Sequence, residues 1–446
     1  MRARWLFILI AFAYLSSAFI QFDFTKDYRI ASLRLDFPRV LSGDEPHYLV
    51  MVNSLLSDGD LRLLNNYESA MRGASCATGE NHRGKWTDTR IHYLDDDNRD
   101  ATLDIFFVNG SRRPGKEGVD VSVYNQVAIP PFGMPVFVSL FAWPFAGSCG
   151  VESVAVLLSV VVGLFGLWFL FLTLQELVPE RTALLVTFVC AFGTPFWFYA
   201  RSLYPQVYIA SITMAAFYLV VYRKWLLFPA ILLGFGYLAR YPFVLVIGLF
   251  WLYVAKTRSV RDLVRFSVPL ACSELVLLAY NYAVFGTPFA ISQSFSVGDS
   301  WMNLPLLFIH PLYGLLVFVP VAVFVVAGLR MWARVSGWSA ILGMSILIIN
   351  VLFYALWANQ GGAYATRYLL DNMLLLFVPV GVWLSIVQRP GKIAFLLLSA
   401  YCIALNAFAG LFPALAIGRS PWEIAGFVIA HVVEILRYFF KVVGGV

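Results

Sequence analysis

From residue 152 to its end the sequence is a succession of apolar runs, each long enough to cross roughly 30 Å of hydrocarbon and set apart by short polar or basic punctuation. That pattern restricts the chain to a polytopic helical bundle. A chain of 446 residues that is 60% hydrophobic and 13% charged has too little charge to cover a soluble surface, so this is an integral membrane protein. Its formal charge of +6 is spread over Lys and Arg at helix ends, with no basic run that would suit nucleic acid. Loop charges that orient a membrane protein account for it.

Cytoplasmic placement of the basic clusters fixes the threading: Arg2/Arg4, Arg181, Arg223/Lys224, Lys256/Arg258/Arg261/Arg265, Arg330/Arg334, Arg389/Lys392 and Arg437/Lys441. The expected spans are 4–22, 152–178, 182–200, 203–222, 225–239, 241–255, 266–285, 312–329, 338–357, 372–388, 393–411 and 422–440. About twelve crossings leave both termini inside. The first could also be a signal peptide, but no clear small-x-small cleavage site follows it, so it is read as a retained anchor. The stretch 129–147, "IPPFGMPVFVSLFAWPFAG", would invert every later loop if it crossed, and its four prolines suit a lipid-exposed helix poorly. It is expected to be a juxtamembrane or re-entrant helix on the outer side. The short spans at 225–239 and 241–255 suggest tilted pieces around a thinned or water-filled region.

Three parts follow: a first transmembrane helix (1–22), an external region (23–150) and a helical bundle (151–446). The external region holds most of the acids. Within it, "PHYLVMVNSLLSDGDL" places Tyr48, Leu49, Val52, Leu55 and Leu56 on one helical face, as in a helix lying on a membrane surface. Pro46 suits a first helical turn, so Asp44 and Glu45 fall at the helix start, where the dipole and free amides favour ionised carboxylates. Such an acid can cap the helix or accept a proton.

The outer side also receives Arg201 in "YARSLYPQ", Arg240 in "GYLARYPF", His310, and Arg367 in "GGAYATRYLLDN". Arginines there run against the usual charge bias. Each alone could snorkel or pair with an acid. Together they describe a positive pocket facing an acidic pair, which is what transfer from a lipid phosphate requires: cations for the leaving phosphate and a base for the attacking hydroxyl.

"GDEPHYL" after the first span resembles the acidic-pair motif in the first external loop of GT-C glycosyltransferases that use polyprenyl-phosphate sugars, in particular bacterial members related to protein mannosyltransferases and the aminoarabinose transferase. "DGDLRLLNNYE", the proline-rich "IPPFGMP", "GFGYLARYP", "NYAVFGTPF" and "GGAYATRYLL" resemble further stretches of that family. The resemblance implies a GT-C-like, all-α bundle with juxtamembrane helices in a large first external loop. It implies Asp44 as catalytic base, with Glu45 orienting the acceptor or contributing to a divalent-metal site where a member uses one, and Arg240 facing the lipid phosphate. Arg201 and Arg367 join the phosphate site on the charge argument, and His47, Tyr48, Tyr204 and His310 are the candidate substrate contacts. Val127, Ala128 and Ile129 stand where the family commonly has a His or Lys before the proline-rich motif, which removes one expected contact.

The expected activity is therefore inverting transfer of a hexose or pentose from a polyprenyl-phosphate donor to a lipid, glycan or protein acceptor, at the periplasmic or exterior face of a bacterial inner membrane. An O-antigen polymerase or ligase usually carries its large external loop late in the chain, and a transporter or flippase would show internal repeats and midplane charges. Other polar features have plainer readings. Cys76 and Cys149 both face outward and are candidates for a disulfide; without CxxC or Cys/His clusters, zinc and redox motifs are not expected. "DDDNRD" at 95–100 lacks the Gly and distal Glu of a calcium loop and reads as a solvated turn. Glu274 reads as a structural hydrogen-bonding acid, His431 and Glu434 as a mutual pair, and Asn281, Asn350 and Asn406 as interhelical hydrogen-bonders.

Overall fold

A computed structural model describes residues 2–24, 30–35, 45–61, 66, 90–94, 100–108, 111–114, 131–148, 150–285, 287–289, 300–357, 364–411 and 416–427. The chain opens with helix α1 (Arg2–Ser17), followed by an antiparallel pair, β1 (Ile20–Phe24) and β2 (Ile30–Leu35), and by α2 (Glu45–Ser57). A second antiparallel sheet, in the order β3 (Arg90–Leu94), β4 (Asp100–Val108), β5 (Ser111–Pro114), lies further along the chain. Helix α3 (Gly133–Ala142) leads through a 3-10 turn at Trp143–Phe145 to α4 (Gly150–Gln175).

The helical membrane bundle is as expected, whereas the two small sheets are not part of an all-α reading. In β4, "DATLDIFFV", Leu103, Ile105 and Phe107 recur at a period of two, a weak signal in a region judged mainly by its charge. The acidic "DDDNRD" run ends in Asp100, which pairs with Leu94 to open β4. Among the described residues five segments are long and apolar enough to cross a bilayer: Gly150–Gln175, Val260–Ala283, Trp338–Leu356, Tyr368–Ile386 and Arg389–Leu411. Shorter apolar helices, among them Trp5–Ser17, Pro205–Val221, Leu227–Ala239 and Tyr241–Thr257, fall on further expected spans. The protein is therefore a multi-pass membrane protein.

Two expected spans are broken, each at proline. The stretch 182–200 divides into α5 (Glu180–Phe192) and α6 (Phe196–Ala200) around Pro195. Thr194 satisfies the interrupted ladder: its Oγ1 donates to Cys190 O at 2.7 Å and accepts from Phe196 N at 3.2 Å. The stretch 312–329 becomes α12 (Leu315–Phe318), a 3-10 turn at Pro320–Val323 and α13 (Phe324–Ser336). An unexpected short helix, α11 (Ser300–Ile309), precedes it.

Helix α7 (Pro205–Val221) is apolar on nearly every face, and every residue from Pro205 to Val220 is buried, so it forms the centre of the bundle. It packs on α4 and on α8 (Leu227–Ala239), and α8 packs on α10 (Val260–Phe285); α9 (Val244–Thr257) lies between them in the chain. Helix α14 (Trp338–Leu356) leads on to α15 (Met373–Ile386), which packs against α13, and α16 (Arg389–Leu411) follows. Helix α2 departs from the one-faced surface helix expected of it. Residues 48–54 are all buried, including Val50 and Met51 off the predicted stripe, because α2 is inserted against α3 and α4.

Candidate active site

Glu45 is the first residue of α2 and is fully buried. Its Oε1 accepts a hydrogen bond from the Leu203 backbone N–H at 2.6 Å, tying the acidic motif to the junction between α6 and α7. That bond meets a main-chain amide that would otherwise be buried without a partner. Tyr48, one turn on, is buried in the same packing layer as Leu203, Tyr208 and Ala239. The motif is thus tied to the start of the central helix.

Arg240 follows α8 in an extended conformation (φ −162°, ψ 102°), its N–H still bonded to Gly236 O at 2.9 Å. The end of α8 is placed by the proline-rich segment: a Cβ on Gly133 would meet the Leu238 carbonyl carbon at 2.6 Å and the Ala239 nitrogen at 2.7 Å. Only a glycine lets the two backbones approach so closely. From this position the Arg240 Nε lies 3.1 Å from Asp371 Oδ2, and Nε and Nη2 donate to Tyr354 Oη at 3.1 and 2.7 Å. Tyr354 Oη in turn donates to Asp371 Oδ2 at 2.5 Å. Burial alone would lower the Arg240 pKa, but Asp371 and Tyr354 outweigh it and hold the guanidinium above its usual value.

Gln206 joins this group to the second arginine. Its side chain is fully buried, and in the orientation that satisfies both donors its carbonyl oxygen accepts from Arg240 Nη1 at 3.0 Å and from Arg367 Nε at 3.2 Å. The Arg367 guanidinium lies over the Tyr204 ring, 4.6 Å from its centroid, and within 5.7 Å of the Tyr368 ring. Arg367 N donates to the carbonyl of Ala365, which adopts φ +51° although it carries a Cβ. That left-handed residue costs about 1–2 kcal/mol, offset by the packing that fixes the turn and hence the arginine.

Arg240, Arg367 and Tyr204 therefore come together, with Glu45 bonded to the residue next to Tyr204. Arg201 does not join them through any described hydrogen bond. It is buried, its Nη1 donates to Gly410 O, and its Nη2 donates to Ile20 O at 2.8 Å. Desolvation lowers its pKa to about 10, so it stays protonated at neutral pH. These bonds make it a strut between the start of β1 and the end of α16. His310 keeps its contacts within its own turn: Nδ1 accepts from Leu312 N at 3.2 Å and the ring stacks on Tyr313. Partial burial lowers its pKa.

Asp44, the His47 side chain, Cys76, Cys149, Val127–Ile129, His431 and Glu434 lie outside the described residues. Among the described ones no three His, Cys, Asp or Glu side chains converge as a metal-binding group. Glu274 is hydrogen-bonded to Tyr237, and Asn350 and Asn406 bond across elements to Asn372 and Tyr364, as expected; Asn281 bonds instead to the Pro288 carbonyl, beyond its own helix end.

Asp371, Tyr354 and Gln206 are the residues that sequence reasoning missed. Asp371 carries a signal, being an acid at the mouth of an apolar run, but it stands one residue before the expected span at 372–388 and so outside the segment in which an acid is conspicuous. Glu152, the first residue of the expected span 152–178, is a second acid, buried in the first turn of α4.

No protein-family profile matches the sequence. No curated protein sequence matches it either. Solved structures do. ArnT from Cupriavidus metallidurans, bound to undecaprenyl phosphate, is similar with a TM-score of 0.56 at 14% identity, over 98% of this chain and 71% of ArnT. The archaeal oligosaccharyltransferase AglB from Archaeoglobus fulgidus, in complex with an inhibitory peptide and a dolichol-phosphate, gives a TM-score of 0.51 at 12% identity over 93% of this chain. The chain spans about half the length of AglB, 55%. With a likeness that runs through nearly the whole chain, the protein shares the polytopic helical fold of ArnT and the archaeal oligosaccharyltransferase.

Proposed function

We propose that the protein is an inverting glycosyltransferase that takes a sugar from a polyprenyl-phosphate donor. The observation that carries this reading is the convergence of Arg240 and Arg367 on one Gln206 carbonyl, beside the junction that binds the acidic motif through Glu45. Two guanidinium groups on one neutral acceptor keep their charge and suit a departing phosphate. The carriers bound to ArnT and AglB, undecaprenyl phosphate and dolichol-phosphate, are of the same chemical class.

In the proposed reaction Asp44 removes the proton of an acceptor hydroxyl, whose oxygen forms the new bond to the anomeric carbon from the face opposite the phosphate. The bond between that carbon and the phosphate oxygen breaks, and the electron pair leaves with the phosphate. Arg240 and Arg367 hold the charge that develops there. Glu45 fixes the motif against Leu203, and Tyr204 supports Arg367. Arg201 is assigned no part in this step, because its described hydrogen bonds run to the Gly410 and Ile20 carbonyls and none joins it to Gln206, Arg240 or Arg367. By the loop charges, the site faces the periplasm or exterior of a bacterial inner membrane.

The test is transfer from labelled polyprenyl-phosphate sugars to candidate acceptors by the purified protein. Asp44→Asn is expected to abolish transfer while donor binding and folding persist; full activity of that variant would refute the assignment. The lipid extract of cells lacking the protein, through the glycan it has lost, identifies the acceptor.

A further inference from the structure

Asp371 is a buried carboxylate set against a group that the proposed function needs to be positive. Its Oδ2 is shared by Arg240 and Tyr354, and its Oδ1 is buried without a hydrogen-bond partner among the described residues. A structural counter-ion would be expected to have both oxygens satisfied. It also acts on both guanidinium groups: Arg240 by direct contact and Arg367 through the field. Arg240 meanwhile retains donors. Of the five N–H of a guanidinium, Nε and one hydrogen on each terminal nitrogen are engaged, which leaves one on each terminal nitrogen to grip a phosphate.

The two lipids that such a site must handle differ in charge. A glycosylated polyprenyl phosphate is a diester with a single negative charge, whereas the monoester left after transfer carries about −1.5 to −2 at neutral pH. Arginines with no carboxylate among them would hold the product more tightly than the substrate and retain it. From this arrangement we infer that Asp371 matches the site to a monoanionic phosphodiester and weakens its hold on the spent monoester, so that product leaves and donor enters. Tyr354 keeps the carboxylate beside Arg240, and the neutral Gln206 carbonyl holds the arginines together without cancelling further charge.

This inference rests on the phosphate reading of the site, and its test separates the two. The probes are undecaprenyl phosphate and its methyl diester, which differ in charge and carry no sugar, and the quantity is the ratio of their Kd values. For Asp371→Asn, which preserves an acceptor for Tyr354, the ratio is expected to move about tenfold or more in favour of the monoester, as removal of a unit charge a few ångströms away requires. Asp371→Glu is expected to keep the wild-type ratio. Multiple-turnover rates of Asp371→Asn should fall while single-turnover rates hold. If Asp371→Asn does not fold, Gln206→Glu provides the opposite change and should move the ratio toward the diester. A ratio that either folded variant leaves unchanged overturns the inference. If the wild-type protein binds neither lipid, or Arg240→Ala weakens neither, the phosphate reading itself fails.

Discussion

Arg201 and Arg240 are two arginines at helix junctions, and only one of them resembles a ligand site. Arg201 has no acid partner among the described residues and donates to carbonyls at the ends of two distant elements. Arg240 pairs with Asp371, leans on Tyr354 and shares Gln206 with a second arginine. A place at a helix junction, then, says little about role. A guanidinium bonded to carbonyls joins pieces of backbone, whereas one set among side chains that tune its charge is prepared for an anion.

The sharpest way to break this contrast is at Arg240. Arg240→Ala is expected to lower transfer about 10²–10³-fold, and to destabilise the fold by about 3–5 kcal/mol because Asp371 is left buried and unpaired. The double variant with Asp371→Asn should recover the thermal unfolding midpoint in detergent but not the initial rate. Recovered transfer would show that Arg240 is only a structural partner. Arg201→Ala should behave oppositely: with the Gly410 and Ile20 carbonyls unmet, stability falls by about 3 kcal/mol, while the folded protein binds undecaprenyl phosphate as before. A specific loss of lipid binding would return Arg201 to the site.

Gly133→Ala sharpens the comparison from a distance. The methyl group presses on the Leu238 and Ala239 backbone, which is expected to cost about 1–3 kcal/mol. Because Arg240 follows directly, lipid binding should weaken severalfold in parallel, as titration with undecaprenyl phosphate would show. The smallest effect is expected of Tyr354→Phe, which removes an acceptor for Arg240 and a donor to Asp371. The KM for donor should rise about five- to tenfold with kcat little changed; a fall in kcat alone would place Tyr354 nearer the reacting atoms.

Most of the helices of the bundle were legible in the sequence because apolar runs report directly on helix length. The proline-rich stretch forms α3, and α2 begins at Glu45 where Pro46 pointed. What escaped was of another kind. Prolines at 195 and 320 divide runs that hydropathy reads as continuous, and the partners of Arg240 come from residues 206, 354 and 371, which no local pattern links. Charge sign singled out Arg201 and Arg240 alike. Only the placement of distant backbone and side chains separates a joint from a binding group.

Gly133 has a mechanical consequence. With no room for even one methyl group between it and the Leu238–Ala239 peptide, the proline-rich helix and the tail of α8 are meshed like gear teeth. Arg240 is the next residue in the chain, so any tilt of that helix is passed to the guanidinium with no slack between them.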